Sequence, residues 1–232
     1  MKASQFQEGH VLLIDKPKTW SSFDVVNKLR WQIKNKLKVK KIKVGHAGTL
    51  DPLATGLLVL CTGKFTKKIE EFTADYKTYT GTILLGKTTP SYDLETEFDA
   101  EFPTEHITGA LIDEVRQSFM GKQLQTPPIF SAKQIDGKRA YEFARKGEAV
   151  ELKKNQIEVF DFTLDTSALP ELYFSIKCSK GTYIRSIAAD FGKALKSGGT
   201  LVELRRTGSG DFDIKDALTV EEAIKMIEES EI

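Results

Sequence analysis

Lys43-Val-Gly-His-Ala-Gly-Thr-Leu-Asp-Pro-Leu-Ala-Thr-Gly56 carries a single carboxylate, Asp51, in a run dense in glycine and small polar residues. Segments that read as regular structure bracket it. Gly45, Gly48 and Gly56 let a ligand approach the main chain closely. Pro52 fixes the turn after the acid and pushes Asp51 toward an extended conformation. An acid held on such a loop, with His46 nearby, has the character of a catalytic group. A plain glycine turn is the commonest competing reading. A phosphate loop is excluded, because the run ends Thr55-Gly56-Leu57 instead of Gly-Lys-Ser/Thr. No G-x-G-x-x-G fingerprint for a dinucleotide is present either.

Outward from this run, the 232 residues suffice for one large domain or two small ones, with a core that needs no disulfide or metal. A hydrophobic share of 40% and a charged share of 29% are ordinary for a soluble globular protein. No apolar run is long enough to span a membrane, and the N-terminus lacks the apolar core of a signal peptide. Cys61 and Cys178 lack CxxC spacing and read as reduced core thiols, so the cytoplasm is the expected compartment. His10, His46 and His106 are too scattered for a metal site.

The net charge of +1 hides an asymmetry. Between Val25 and Leu50 lie Lys28, Arg30, Lys34, Lys36, Lys38, Lys40, Lys41 and Lys43, with no acid. A solvated face is one reading of such a run. The other is a positive field that attracts phosphates toward Asp51. The segment from Asp216 is acidic, with Lys225 its one cation.

Hydrophobic spacing predicts a strand at His10–Asp15 and a helix opened by a Ser21–Asp24 capping box, with a stripe of Phe23, Val26, Leu29, Ile33 and Leu37. Strands are expected at Leu57–Cys61, Tyr76–Leu85, Gln156–Leu164, Leu172–Cys178 and Leu201–Arg206. Helices are expected at Phe65–Phe72, about Ile107–Phe119, Arg139–Lys146, Tyr183–Leu195 and the acidic end. Strands outnumber helices without a βαβ repeat, which predicts an α+β fold with a mixed or antiparallel sheet.

Several segments, in order, resemble the TruB family of tRNA pseudouridine synthases. The run Lys43–Gly56 resembles the family's central motif. Gly9–Pro17 and Ser21–Val26 look like its opening motif. Lys77-Thr-Tyr79, Leu85-Gly86 and Thr89–Asp93 resemble the stretch with its active-site tyrosine. Cys178–Arg185 and Leu204–Arg206 are similar to its third motif and the following strand. The resemblance extends from about Gly9 to Phe212 and implies one catalytic domain, residues 1–232. Its fold would be a mixed, largely antiparallel sheet with a central RNA-binding cleft and packed helices. Residues 122–152 would be a thumb that grips the RNA stem-loop. Two departures stand out. Thr19 occupies a usual glycine position, so that turn is expected to differ in shape. The C-terminal PUA domain that many members carry is not expected here.

The resemblance implies isomerisation of uridine to pseudouridine at position 55 in the T loop of tRNA, without cofactor or metal. Asp51 would be the catalytic acid, either attacking the substrate covalently or removing a ribose C2′ proton. Arg185 would pair with it. Tyr79 would stack on the flipped base, Tyr183 and Leu204 would line the same pocket, and His46 would stack into the RNA. Lys36, Lys38, Lys40, Lys41, Lys43, Lys133, Lys138 and Arg139 are candidates for the RNA backbone. The expected partner is the tRNA T stem-loop, with no membrane and no obligatory protein partner, the chain acting as a monomer. The alternative is a non-catalytic RNA-binding or RNA-folding module on the same scaffold. Retention of Asp51, Tyr79 and Arg185 together argues against it, since binding alone does not need the acid.

Overall fold

The computed structural model describes residues 2–131, 134–135, 138–139 and 152–231, with backbone alone at 134–135 and 138–139. After a one-turn helix α1 (Gln5–Glu8) come β1 (Val11–Lys16), α2 (Ser22–Leu37), β2 (Val44–His46) and β3 (Thr55–Thr62). A 3-10 turn at Gly63–Lys68 leads to β4 (Tyr76–Leu85), β5 (Lys87–Thr88), β6 (Ala100–Glu101), α3 (Gly109–Ser118) and β7 (Gly121–Gln125). Then follow β8 (Gln134–Ile135), β9 (Lys138–Arg139), β10 (Asn155–Ala168), β11 (Glu171–Ser179), α4 (Ile184–Ala194), β12 (Gly199–Ser209), β13 (Phe212–Asp213) and α5 (Val220–Glu229). The chain forms two compact units, Met1–Tyr79 with Leu204–Ile232, and Thr80–Glu203.

The first unit is built on β3, which is almost wholly buried. β1 pairs antiparallel along one edge, from Val11 opposite Cys61 to Lys16 opposite Gly56. The other edge is shared. β2 pairs antiparallel with its far end, His46 opposite Leu60. β12 runs parallel to its start, Arg205 opposite Thr55. Alternation along these strands gives the sheet two apolar faces. Phe6, Leu12, Ile14, Leu58 and Leu60 meet Val25, Val26, Leu29 and Ile33 of α2 and Val220, Ala223 and Ile227 of α5. Ala47, Leu57 and Val59 pack on the opposite face with Leu13, Ile69 and Phe72.

The capping box that opens α2 is present. The Asp24 N–H donates to Ser21 Oγ at 3.1 Å, and the Ser21 N–H donates to Asp24 Oδ2 at 2.8 Å. Phe23 is a correction to the predicted stripe, because it is 60% exposed. Val25 takes its place in the core. A 100° step per residue puts positions 22, 25, 26, 29 and 33 on one side and leaves 23 outside.

In the second unit β10 pairs antiparallel with both β11 and β7, Phe162 opposite Ile176 and Val159 opposite Gly121. Phe119, Phe162, Phe174 and Phe191 form a chain of edge-on and tilted ring contacts that ties α3 and α4 to this sheet. Strand β7 was not foreseen, since Gln125-Thr-Pro-Pro128 reads as a break. Only pairing with β10 makes a strand of this polar stretch. The predicted helix at Phe65–Phe72 is a 3-10 turn at Gly63–Lys68. The predicted helix Arg139–Lys146 lies outside the described residues except for Arg139, which belongs to β9. The thumb at 122–152 also falls largely outside them, as does Lys133. Cys61 is a buried thiol pushed up to about 11 by burial, and Cys178 is buried on β11. No helix among the described residues is long and apolar enough to cross a membrane.

Candidate active site

Residues 47–54 leave β2, pass the shared edge of β3 and re-enter as β3 itself. Asp51 sits half-exposed in this loop. Its carbonyl accepts from the Ala54 N–H at 3.1 Å, closing a turn around Pro52. Three buried side chains hold the loop from three different elements.

From the end of β1 comes Lys16, with no exposed surface. Its ammonium donates to the carbonyls of Trp20 (2.6 Å), Pro17 (3.0 Å) and Pro52 (3.3 Å). An ammonium has three N–H groups, and all three are used. Burial lowers its pKa from 10.5 to about 8, against the attraction of Asp51, which raises it, and with the repulsion of Arg206, which lowers it. Lys16 is therefore a cation at neutral pH, in the field of the candidate acid. From the first turn of α2 comes Ser22. Its hydroxyl donates to the Leu50 carbonyl at 3.0 Å and accepts from the Leu50 N–H at 2.8 Å, satisfying both backbone groups next to Asp51.

From β12 comes Arg206, 1% exposed. Its Nε donates to the Leu57 carbonyl at 2.7 Å, and its terminal nitrogens donate to Gly48 (3.0 Å) and Thr49 (3.5 Å). Beside it the Ala47 N–H donates to the Val59 carbonyl at 2.8 Å. Together they satisfy β3 carbonyls on the edge where β2 ends and β12 begins. Gly56 has φ 100°, and a Cβ there would stand 2.3 Å from the Arg206 carbonyl, so the parallel contact of β12 with β3 requires glycine. On the neighbouring position of β12, Arg205 reaches across β3 to both oxygens of Asp15, at 3.0 and 2.6 Å.

Lys16, Ser22 and Arg206 lie inside the quoted motifs, where spacing alone assigns them no role: Lys16 ends β1, Ser22 opens α2 and Arg206 lies within β12. Thr19, the departure from glycine, keeps a glycine-like backbone with φ 73°. Its N–H donates to the Pro52 carbonyl at 2.8 Å. The turn places a β-branched residue in a left-handed conformation.

Of the other predicted site residues, His46, Tyr79 and Leu204 lie in the same unit as Asp51. His46 closes β2, and its Nε2 shares a 3.1 Å hydrogen bond with Thr49 Oγ1, two residues before the acid. Burial and then the Arg206 charge lower its pKa, favouring a neutral ring. Tyr79 is 7% exposed on β4. Leu204 is half-buried on β12, its carbonyl accepting from Thr55 Oγ1 at 3.4 Å.

Tyr183 and Arg185 belong to the second unit. Gln125 brackets the Tyr183 backbone, accepting from its N–H at 2.8 Å and donating to its carbonyl at 3.0 Å. Arg185 stands in the first turn of α4, where the helix dipole disfavours a cation. It is compensated there by Asp93 (Nε to Oδ2, 3.6 Å) and by the carbonyls of Phe130 (2.8 Å) and Ser91 (3.3 Å). Lys36 donates to the Glu228 carbonyl at 2.8 Å, so this candidate for RNA contact also clamps α2 to the last turn of α5. Lys38, Lys40, Lys41 and Lys43 are exposed. Lys138 and Arg139 form β9.

Residues 34–184 match the model of the TruB family pseudouridylate synthase N-terminal domain. Residues 185–231 match the tRNA pseudouridylate synthase B C-terminal domain. The chain belongs to the TruB family. Among similar members, the tRNA pseudouridine synthase B of Flavobacterium johnsoniae is 57% identical over 95% of this chain and 96% of its own. The protein of the same name from Phocaeicola vulgatus is 55% identical over 98% and 97%. A solved Cbf5–Nop10–Gar1 complex contains a chain that superposes with a TM-score of 0.70 at 26% identity. The match covers 95% of the TruB-family chain described here and 55% of the solved one, so this chain spans about half the length of that neighbour.

Proposed function

We propose that this TruB-family chain isomerises uridine to pseudouridine in tRNA, at position 55 of the T loop. The observation that carries this reading is Asp51, a half-exposed carboxylate on a loop whose backbone is fixed by Lys16, Ser22 and Arg206. Family membership over nearly the whole chain supports it. The reaction breaks the N1–C1′ bond, turns the base and joins C5 to C1′. The C5 proton leaves and N1 gains one, so nothing is oxidised and no cofactor is needed. Asp51 acts either as a nucleophile on the substrate or as the base that takes the C2′ proton. A fixed backbone lowers the entropic cost of aiming that carboxylate. Lys16 adds a positive field beside it.

The remaining roles follow the family resemblance. Tyr79 is the stacking partner of the flipped base, Leu204 and Tyr183 contact substrate, His46 inserts toward the RNA, and Arg185 supports the acid. The stretch 122–152 serves as the thumb on the T stem-loop. The protein works in the cytoplasm, a compartment in keeping with two buried cysteines, and as a monomer.

The test is incubation with unmodified tRNA, followed by chemical mapping of pseudouridine. A product at position 55 supports the reading. Tight binding of tRNA without product would favour the non-catalytic module instead.

A further inference from the structure

Helix α2 buries Val25, Val26, Leu29 and Ile33 and leaves Asn27, Arg30, Trp31 and Lys34 outside the core. These four are spaced i, i+3, i+4 and i+7 and so share one face. Lys38 ends the helix in a left-handed conformation, φ 53°, and the Val39 N–H returns to the Lys34 carbonyl at 3.2 Å. The chain reverses there and lays Lys40, Lys41 and Ile42 alongside the face. The result is a groove of about 510 Å³ with cations on both walls and no acid in its lining.

Two features of this groove are unfavourable in an empty site. Arg30, Lys34, Lys40 and Lys41 repel one another, and among the described residues none of them has an ion-pair partner. Among the described residues the Arg30 guanidinium is held by the Asn27 amide oxygen alone. In addition, the Trp31 indole is 57% exposed, and Phe23 on the same face is 60% exposed. One occupant relieves both: a polyanion that carries flat faces. A concave site suits a strand better than the flat surface of a bilayer.

We propose that this groove is a second RNA-binding site, in which Trp31 stacks on one unstacked base and Arg30, Lys34, Lys40 and Lys41 hold the flanking phosphates. It rests on the tRNA-modifying reading only for the identity of the RNA. Lys40 and Lys41 lie just upstream of β2 and the Asp51 loop, so the site holds RNA on the approach to the acid without touching the reacting uridine.

The experiment compares wild type with Trp31→Ala, Trp31→Phe and a Lys40→Glu/Lys41→Glu double variant. All lie on exposed positions, and unchanged thermal melts check the fold. Affinity for unmodified tRNA is read by anisotropy of a labelled transcript. It should fall about tenfold in Trp31→Ala and much less in Trp31→Phe. The double variant should weaken binding and flatten the salt dependence. Tryptophan emission should be quenched by tRNA in wild type, with the Trp31 share of that quench lost in Trp31→Phe and only the share of Trp20 left. Single-turnover isomerisation at saturating tRNA is recorded for each protein, so that loss of binding and loss of chemistry are read separately. Wild-type affinity in Trp31→Ala and in the double variant would overturn the site, while isomerisation by those proteins would leave the proposed activity standing. Conversely, a wild type that binds through the groove but forms no pseudouridine would sink the activity and keep the site. If the same variants lose binding to vesicles of anionic lipid and bind tRNA normally, the groove is a membrane contact and the proposal fails.

Discussion

At the scale of single residues, the proposed chemistry rests on Asp51 and the local strain on Thr19. Asp51→Asn keeps size and polarity but removes the negative charge. It should abolish isomerisation while tRNA affinity stays within about twofold, because affinity rests on lysines and arginines. Release of tritium from C5-labelled uridine in tRNA measures the first and anisotropy the second. Near-normal turnover would exclude Asp51 as the reacting group. Thr19 is held at φ 73°, where a β-branched side chain costs about 1–2 kcal/mol. Glycine there loses roughly 0.5–1 kcal/mol in extra chain entropy. The difference predicts that Thr19→Gly raises stability by about 1 kcal/mol or slightly less, seen as a midpoint shift of about 2–3 °C. A lower melting temperature would show that the Thr19 side chain contributes something its exposure does not reveal.

At the scale of elements, the loop is clamped by groups that arrive from β1, α2 and β12. Ser22→Ala removes both bonds to Leu50 and leaves a buried N–H and carbonyl unpaired. Such groups cost about 1–3 kcal/mol each, so for the two a loss of about 2 kcal/mol or more in chemical denaturation is expected. The isomerisation rate should fall with it, as the loop loses its aim; unchanged kinetics would make the clamp purely structural. Lys16 gives a pH dependence with two opposite signs. Its folded pKa of about 8 lies below its ordinary 10.5. Between these values the unfolded chain holds a proton that the folded chain has lost. Stability from this group therefore rises with pH through that window, and the penalty is complete below about 8. Activity goes the other way. A neutral amine has two N–H groups for three carbonyls, and it no longer attracts the Asp51 charge. The single-turnover rate should decline above pH 8 in the wild type. In Lys16→Met the rate should be low throughout and that limb should vanish. A limb that persists in the variant would assign it to another group.

At the scale of the whole molecule, a net charge of +1 predicts almost no attraction for a polyanion. Binding must come from local excess. Four groove cations, at about 0.9 per phosphate, predict that affinity for tRNA falls roughly a hundredfold between about 50 and 200 mM monovalent salt. Titrations across that range test it, and a flat dependence would mean that the basic run is a solvated face. The acidic C-terminal helix α5 does not cancel this field by ion pairing. It meets α2 through its apolar stripe and through Lys36 on the Glu228 carbonyl.

Much of this was legible in the chain itself. The Ser21–Asp24 cap, the apolar spacing of α2 and the short apolar run of β1 are local properties, so composition, periodicity and capping chemistry were sufficient. Asp51 stands out as a candidate in the sequence because a lone acid among glycines needs no distant partner to be noticed. What the chain could not disclose depends on contacts between residues far apart in sequence. Strand β7 exists because β10 pairs with it, not because Gly121–Gln125 favours a strand. Phe23 lies three residues before Val26 but outside the arc of Ser22, Val25, Val26, Leu29 and Ile33 that the fold buries, and only the tertiary structure shows which arc that is. Lys16, Ser22 and Arg206 look like unremarkable members of three separate motifs. Tertiary structure alone brings their donors and acceptors onto one loop, because the carbonyls and N–H groups that they satisfy belong to residues up to 158 positions away.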